Sequence, residues 1–201
     1  TQATAKADDD NAEVTLTYAG TPNGGEYTEY GTQVPEQAGS YVVTATVADG
    51  NYLVTGNNSA PFVIGKARVT VQPIESKMFT NQPLQADINV SSAVGEDDIY
   101  TVVNDARTDV GSYEVKFTFN EGKDNNFVWF YNDSEVNGTT LVLSFNITIL
   151  TAENNPVTLS EPNGWTYGDD PETLEMTANF GTPVLVYAAA KDGVYGTDVP
   201  L

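Results

Sequence analysis

One order of signals occurs twice along this chain. Gly39-Ser40-Tyr41-Val42-Val43 is followed by Asp49-Gly50-Asn51-Tyr52 and then by Phe62-Val63-Ile64. Further on, Gly111-Ser112-Tyr113-Glu114-Val115 is followed by Asp124-Asn125-Asn126-Phe127 and then by Phe145-Asn146-Ile147. Self-similarity at a period of this size marks tandem modules. Within each copy, apolar and polar residues alternate, as in Tyr41-Val42-Val43-Thr44-Ala45-Thr46-Val47 and Leu141-Val142-Leu143-Ser144-Phe145-Asn146-Ile147-Thr148-Ile149. Val14 to Tyr18, Val69 to Val71 and Tyr113 to Phe119 behave alike. Side chains two apart share one face of a strand, so each run can bury one face. Turn formers such as Asn23-Gly24-Gly25, Asp49-Gly50-Asn51 and Asn137-Gly138 separate the runs. Many short strands with regular turns predict an all-β chain of tandem immunoglobulin-like β-sandwich modules, with β-grasp-like modules as the alternative.

Weaker matches extend the repeat. Phe79-Thr80-Asn81-Gln82-Pro83 parallels Tyr167-Gly168-Asp169-Asp170-Pro171. The run Val14 to Tyr18 parallels Pro183 to Tyr187, and Tyr30 to Pro35 parallels Tyr195 to Pro200. The expected modules are 1–66, 67–150 and 151–201. The middle one holds every signal. The first lacks its aromatic-x-x-x-Pro segment and the last stops before its Gly-x-Tyr, which suggests a piece of a longer array. Leu84 to Val94 has the weakest strand pattern and leaves room for one short helical turn. Asn137-Gly138 is expected to turn a hairpin that extends the middle module past its edge.

Composition narrows the chemistry. The chain has 201 residues, no Cys and no His, so disulfides, thiolate metal sites and the commonest acid/base side chain are excluded. The formal net charge of −20 makes nucleic acid an unsuitable partner, because phosphate binding relies on Lys and Arg. Apolar runs are too short to cross a bilayer as helices, so this segment is not expected to insert in a membrane. Plentiful Ser and Thr hydroxyls have no imidazole to activate them. Paired carboxylates of the glycosidase kind arise by chance in any acidic sandwich. The expectation is a protein that is not an enzyme and carries no cofactor.

Individual residues divide between folding devices and candidate contacts. Asp109-Val110-Gly111-Ser112-Tyr113 has the form of a tyrosine corner, in which the hydroxyl bonds back to nearby backbone. Tyr41 repeats it, and both rings are expected to be buried. Phe127-Val128-Trp129-Phe130-Tyr131 puts Phe127, Trp129 and Tyr131 on one strand face. Trp129 and Tyr131 are the candidate binding residues, since such rings stack on sugars while core packing is their structural alternative. Asp8-Asp9-Asp10, Glu96-Asp97-Asp98 and Asp169-Asp170 offer oxygen ligands for calcium but lack EF-hand spacing, so no metal is assigned. Lys66 and Lys116 lie on predicted strands and could supply the lysine of an isopeptide cross-link, whose partner the sequence does not show.

The order Tyr-Gly-Asp-x-Pro, Gly-x-Tyr, Asn-aromatic and a closing Phe-x-Ile-x-Lys-Ala resembles the MBG-type repeats of bacterial surface adhesins. Tyr167-Gly168-Asp169-Asp170-Pro171, Gly39-Ser40-Tyr41, Asn51-Tyr52 and Phe62-Val63-Ile64-Gly65-Lys66-Ala67 carry the likeness. The middle module departs from it at Phe79 and in its longer exit strand. The resemblance implies an extracellular, bacterial cell-surface segment acting as an adhesin stalk or spacer, with neighbouring repeats of the chain as partners. The alternatives are a module binding host glycan or glycoprotein, and an accessory domain of a secreted polysaccharide-degrading enzyme.

Overall fold

The computed structural model describes residues 13–48, 56–92, 94–95, 98–161, 164 and 174–186. All regular structure there is β, apart from one 3-10 turn at Lys123–Asn125. In chain order the strands are β1 (Val14–Pro22), β2 (Thr28–Gly31), β3 (Gly39–Val47), β4 (Ser59–Ile64), β5 (Ala67–Val71), β6 (Lys77–Met78) and β7 (Val90–Ser92). There follow β8 (Tyr100–Val103), β9 (Gly111–Phe119), β10 (Phe127–Tyr131), β11 (Ser134–Val136), β12 (Thr140–Thr148), β13 (Val157–Leu159) and β14 (Met176–Ala178). The long alternating runs of the sequence are β1, β3, β5, β9 and β12.

The first module is an antiparallel sheet in the order β2-β1-β3-β4. Its inward face collects rings. Tyr41 is 2 % exposed and meets Tyr30 edge-on at 5.8 Å and Phe62 stacked at 5.5 Å. Tyr18 meets the same Phe62 edge-on. Such pairs add about 0.5–1.5 kcal/mol each beyond the area they bury.

The middle module is a sandwich of two four-stranded sheets, β11-β10-β5-β7 and β6-β12-β9-β8. Pro73 follows β5, and without an N–H it cannot continue a ladder. The chain then resumes as β6 in the other sheet. Because β5 and β10 are joined by a long crossover they can pair parallel, Phe127 opposite Ala67 and Phe130 opposite Thr70. Trp129 fills the space between the sheets. Its ring stacks on Phe119 at 4.0 Å and 11°, and Phe117 and Tyr100 meet it edge-on.

Strand register repeats between modules. Val14 pairs with Val47, and Tyr100 with Phe119; Val47 and Phe119 each lie six residues past their corner tyrosine. Val69 pairs with Ser92 and Val71 with Val90 in the middle module. Val157 pairs with Ala178 and Leu159 with Met176 in the last.

Three expectations change. No helical turn forms between Leu84 and Val94 among the described residues; Leu84 instead bridges Arg107 through two 2.8 Å bonds, and Val90–Ser92 is β7. The β10–β11 hairpin turns at Asn132-Asp133, both at positive φ (49° and 57°), while Asn137-Gly138 links β11 to β12. A two-residue type I′ loop needs that left-handed conformation at both positions, and Asn and Asp tolerate it. Pro183 to Val186 form no strand; Pro183 has no N–H to pair, and the run's remaining residue lies outside the described ones.

Contacts divide the chain into two compact units. One comprises Thr1–Ile74, Asp87–Asn104 and Glu114–Ser144, and so contains the whole junction between the first two modules. The other comprises Glu75–Ala86, Asp105–Tyr113 and Phe145–Leu201.

Candidate functional site: the joint between the first and second modules

β4 ends at Ile64 and β5 begins at Ala67, so only Gly65 and Lys66 separate the first sheet from the second module. The 3-10 turn and Asn126 close over this link. The Ala67 N–H donates to the Asn126 main-chain oxygen at 2.8 Å, which extends the parallel β5–β10 ladder backwards. Lys66 Nζ donates to the Asp124 carbonyl at 2.6 Å.

The turn also grips the end of the first sheet. The Ala38 N–H donates to Asn126 Oδ1 at 2.8 Å. Asn23 Nδ2 donates to the Asn125 carbonyl at 3.0 Å. Gly24 lies against the Asn125 side chain, where a Cβ would sit 2.5 Å from its terminal atoms. Gly24 also has φ 72°, the left-handed conformation that favours glycine. Ala38 is 3 % exposed, hence its N–H has little access to water and needs this acceptor.

Each recurring motif thus has a structural task. Tyr41 Oη donates to the Gln37 carbonyl at 2.8 Å and Tyr113 Oη to the Asp109 carbonyl at 2.7 Å, the same four-residue reach in both copies. Gly39 leaves room for it, since a Cβ there would come within 2.9 Å of the Tyr41 hydroxyl. The Tyr41 ring is buried as expected, whereas Tyr113 is half-buried and lies beneath the Arg107 guanidinium. Burial, with Tyr30 alongside, raises the Tyr41 pKa above the ordinary value of 10.0. The corner orders the backbone just after Ala38, whose N–H the joint uses. Asn126, the first half of the Asn-aromatic signal, supplies the acceptor.

The candidate ring residues lie apart from this joint's polar contacts. Trp129 is 0 % exposed and its Nε1 donates to the Thr139 carbonyl at 3.3 Å, so no ring face is open to a ligand. Tyr131 is half-buried at the end of β10, and Phe130 lies under Arg68 at 4.2 Å. Lys66 bonds a main-chain carbonyl, and Lys116 is an exposed residue of β9. Asp98 receives Asn120 Nδ2 on both its carbonyl and its carboxylate at 2.8 Å. Asp8 to Asp10, Glu96, Asp97, Asp169 and Asp170 lie outside the described residues; among those described, no three acidic side chains gather as a metal site. Ala38 and Asn126 were not singled out from sequence, although the recurrence of Asn before an aromatic was the available signal.

No helix among the described residues is long and apolar enough to cross a membrane. Neither the curated proteins nor the solved structures contain a match to the chain. The family model of the MBG domain matches residues 1–68, which span the first sheet and the two-residue link. The first module of this chain is therefore an MBG-type repeat.

Proposed function

We propose that this chain is a non-catalytic repeat segment of an exported bacterial cell-surface protein, and that it acts as a spacer in an adhesin stalk. The MBG match supports a repeat domain of surface proteins. The observation that carries the spacer reading is the joint. A two-residue link clasped by the Ala38–Asn126, Ala67–Asn126, Asn23–Asn125 and Lys66–Asp124 bonds sets one module against the next instead of leaving it on a tether. Flexible linkers leave domains free to move relative to each other, whereas a spacer that transmits position needs ordered junctions. Its partners in this role are neighbouring repeats.

Two measurements test the reading. Antibodies against the chain should label intact cells of the source bacterium, and external protease should remove that signal; purely intracellular signal would contradict export. Pulling the full chain by its ends should release the first and second modules in one coupled event, which Asn126→Ala splits into two. Independent release in the unaltered protein would contradict the spacer role.

A further inference from the structure

The first sheet has a second face, opposite its ring cluster, and that face is not flat. It holds an open trough of about 490 Å³ whose lining includes Thr17, Ala19, Tyr27, Glu29, Val42 and Thr44. Strand register builds it. Ala19 sits opposite Glu29 on β2 and Val42 on β3, and Thr17 sits opposite Thr44. Directly opposed residues share a face, so these side chains line one surface. Ala19 keeps the floor low. Gly31, another lining residue, has open space where a Cβ would stand. A register shift between Tyr18 and Ala19 bends the edge beside it. Tyr27 is 66 % exposed and Val42 39 %, which leaves apolar surface at the rim.

We propose that this trough is a binding site for a neutral saccharide. A sugar presents an apolar C–H face and a ring of hydroxyls, and the trough offers a counterpart to each. The exposed Tyr27 ring is a stacking surface with a polar tip. The Glu29 carboxylate accepts hydroxyl hydrogens in charge-assisted bonds and has no salt-bridge partner among the described residues. Thr17 and Thr44 make only long side-chain bonds, 3.4 Å to the Thr44 carbonyl and 3.5 Å to Ser59 Oγ, so their hydroxyls are available to a ligand. Charge selects the class of sugar. No Lys or Arg lines the trough, and the chain carries a net −20, so sialylated and sulfated glycans are repelled. The proposal is independent of the spacer reading, because the joint's bonds lie among other residues of the module.

The test is a titration of the full chain with neutral oligosaccharides built on glucose, galactose, mannose and N-acetylhexosamines, with sialylated analogues alongside. Backbone amide NMR shifts give both the site and the affinity. At least one neutral oligosaccharide should shift Thr17, Ala19, Glu29, Val42 and Thr44. Tyr27→Ala and Glu29→Gln should each weaken it by about tenfold or more, and its sialylated analogue should bind more weakly. Unchanged ring signals of Tyr41 and Phe62, which pack in the ring cluster of the same sheet, verify that the variants are folded. The proposal is overturned if no neutral oligosaccharide shifts these residues, if the shifts survive Tyr27→Ala, or if the sialylated analogue binds better.

Discussion

Asn126 makes two bonds of different kinds. Its side-chain oxygen takes the Ala38 N–H of the first module, and its main-chain oxygen takes the Ala67 N–H of the second. Substitution separates them. Asn126→Ala removes only the first and leaves the Ala38 N–H without its acceptor, at a cost of about 1–3 kcal/mol. Asn126→Asp keeps an acceptor in place and should restore most of the loss, as read from urea unfolding midpoints. Tyr41→Phe and Tyr113→Phe each remove one corner bond and should cost about 0.5–1.5 kcal/mol in the same assay. Tyr41 adds a pH signature. Its raised folded-state pKa favours the neutral phenol, so its contribution is fully present below the unfolded value near 10 and is lost as pH rises through the folded pKa. Tyr41→Phe should therefore flatten the alkaline fall in stability. Trp129→Ala should cost about 3–5 kcal/mol as a core truncation. The corners were legible because Gly-x-Tyr is a local pattern. The Asn126 clasp was not, because its partner lies 88 residues away.

Strands were legible wherever alternation was long, as in β3, β9 and β12. What alternation cannot report is the neighbour. β5 and β13 both begin a module and pair antiparallel with a later strand, β7 and β14 respectively. Yet Val69 and Val71 are 0 % and 1 % exposed, while Val157 and Leu159 are 61 % and 48 % exposed. The settings differ: β5 is an inner strand of one of two packed four-stranded sheets, and β13 pairs only with β14 among the described residues. Val69→Ala should accordingly cost about 2 kcal/mol or more, whereas Val157→Ala should stay within about 0.5 kcal/mol. Calorimetry of the two variants checks the contrast. Turn chemistry misled for a related reason. Asn-Gly is the stronger local signal, but the β10–β11 ladder, closed by Tyr131 opposite Ser134, places the two-residue loop at Asn132-Asp133. Asn132→Val should then cost about 1–2 kcal/mol, because a β-branched residue resists the left-handed conformation, and amide exchange at Trp129 and Val136 should quicken.

Repeat order in the sequence predicts modules 1–66, 67–150 and 151–201, whereas compactness groups Thr1–Ile74 with Asp87–Asn104 and Glu114–Ser144. Sequence order identifies what is copied, and the clasp lies wholly within one compact unit. The family match covers residues 1–68 and so ends where the link meets β5. Charge acts at this scale too. A net −20 favours solubility and discourages association with anionic surfaces, while opposing compaction through self-repulsion. The central claim is that the first and second modules are held by an ordered joint. Native-state amide hydrogen exchange at Ala38 and Ala67 tests it most directly, because the acceptors of both N–H groups belong to Asn126. Both amides should be protected to the level of Val69 and Trp129 in the unaltered chain, and Asn126→Ala should release Ala38 while Ala67 stays protected. Ala38 and Ala67 exchanging at the rate of free peptide, with Val69 and Trp129 still protected, would show that no such joint exists.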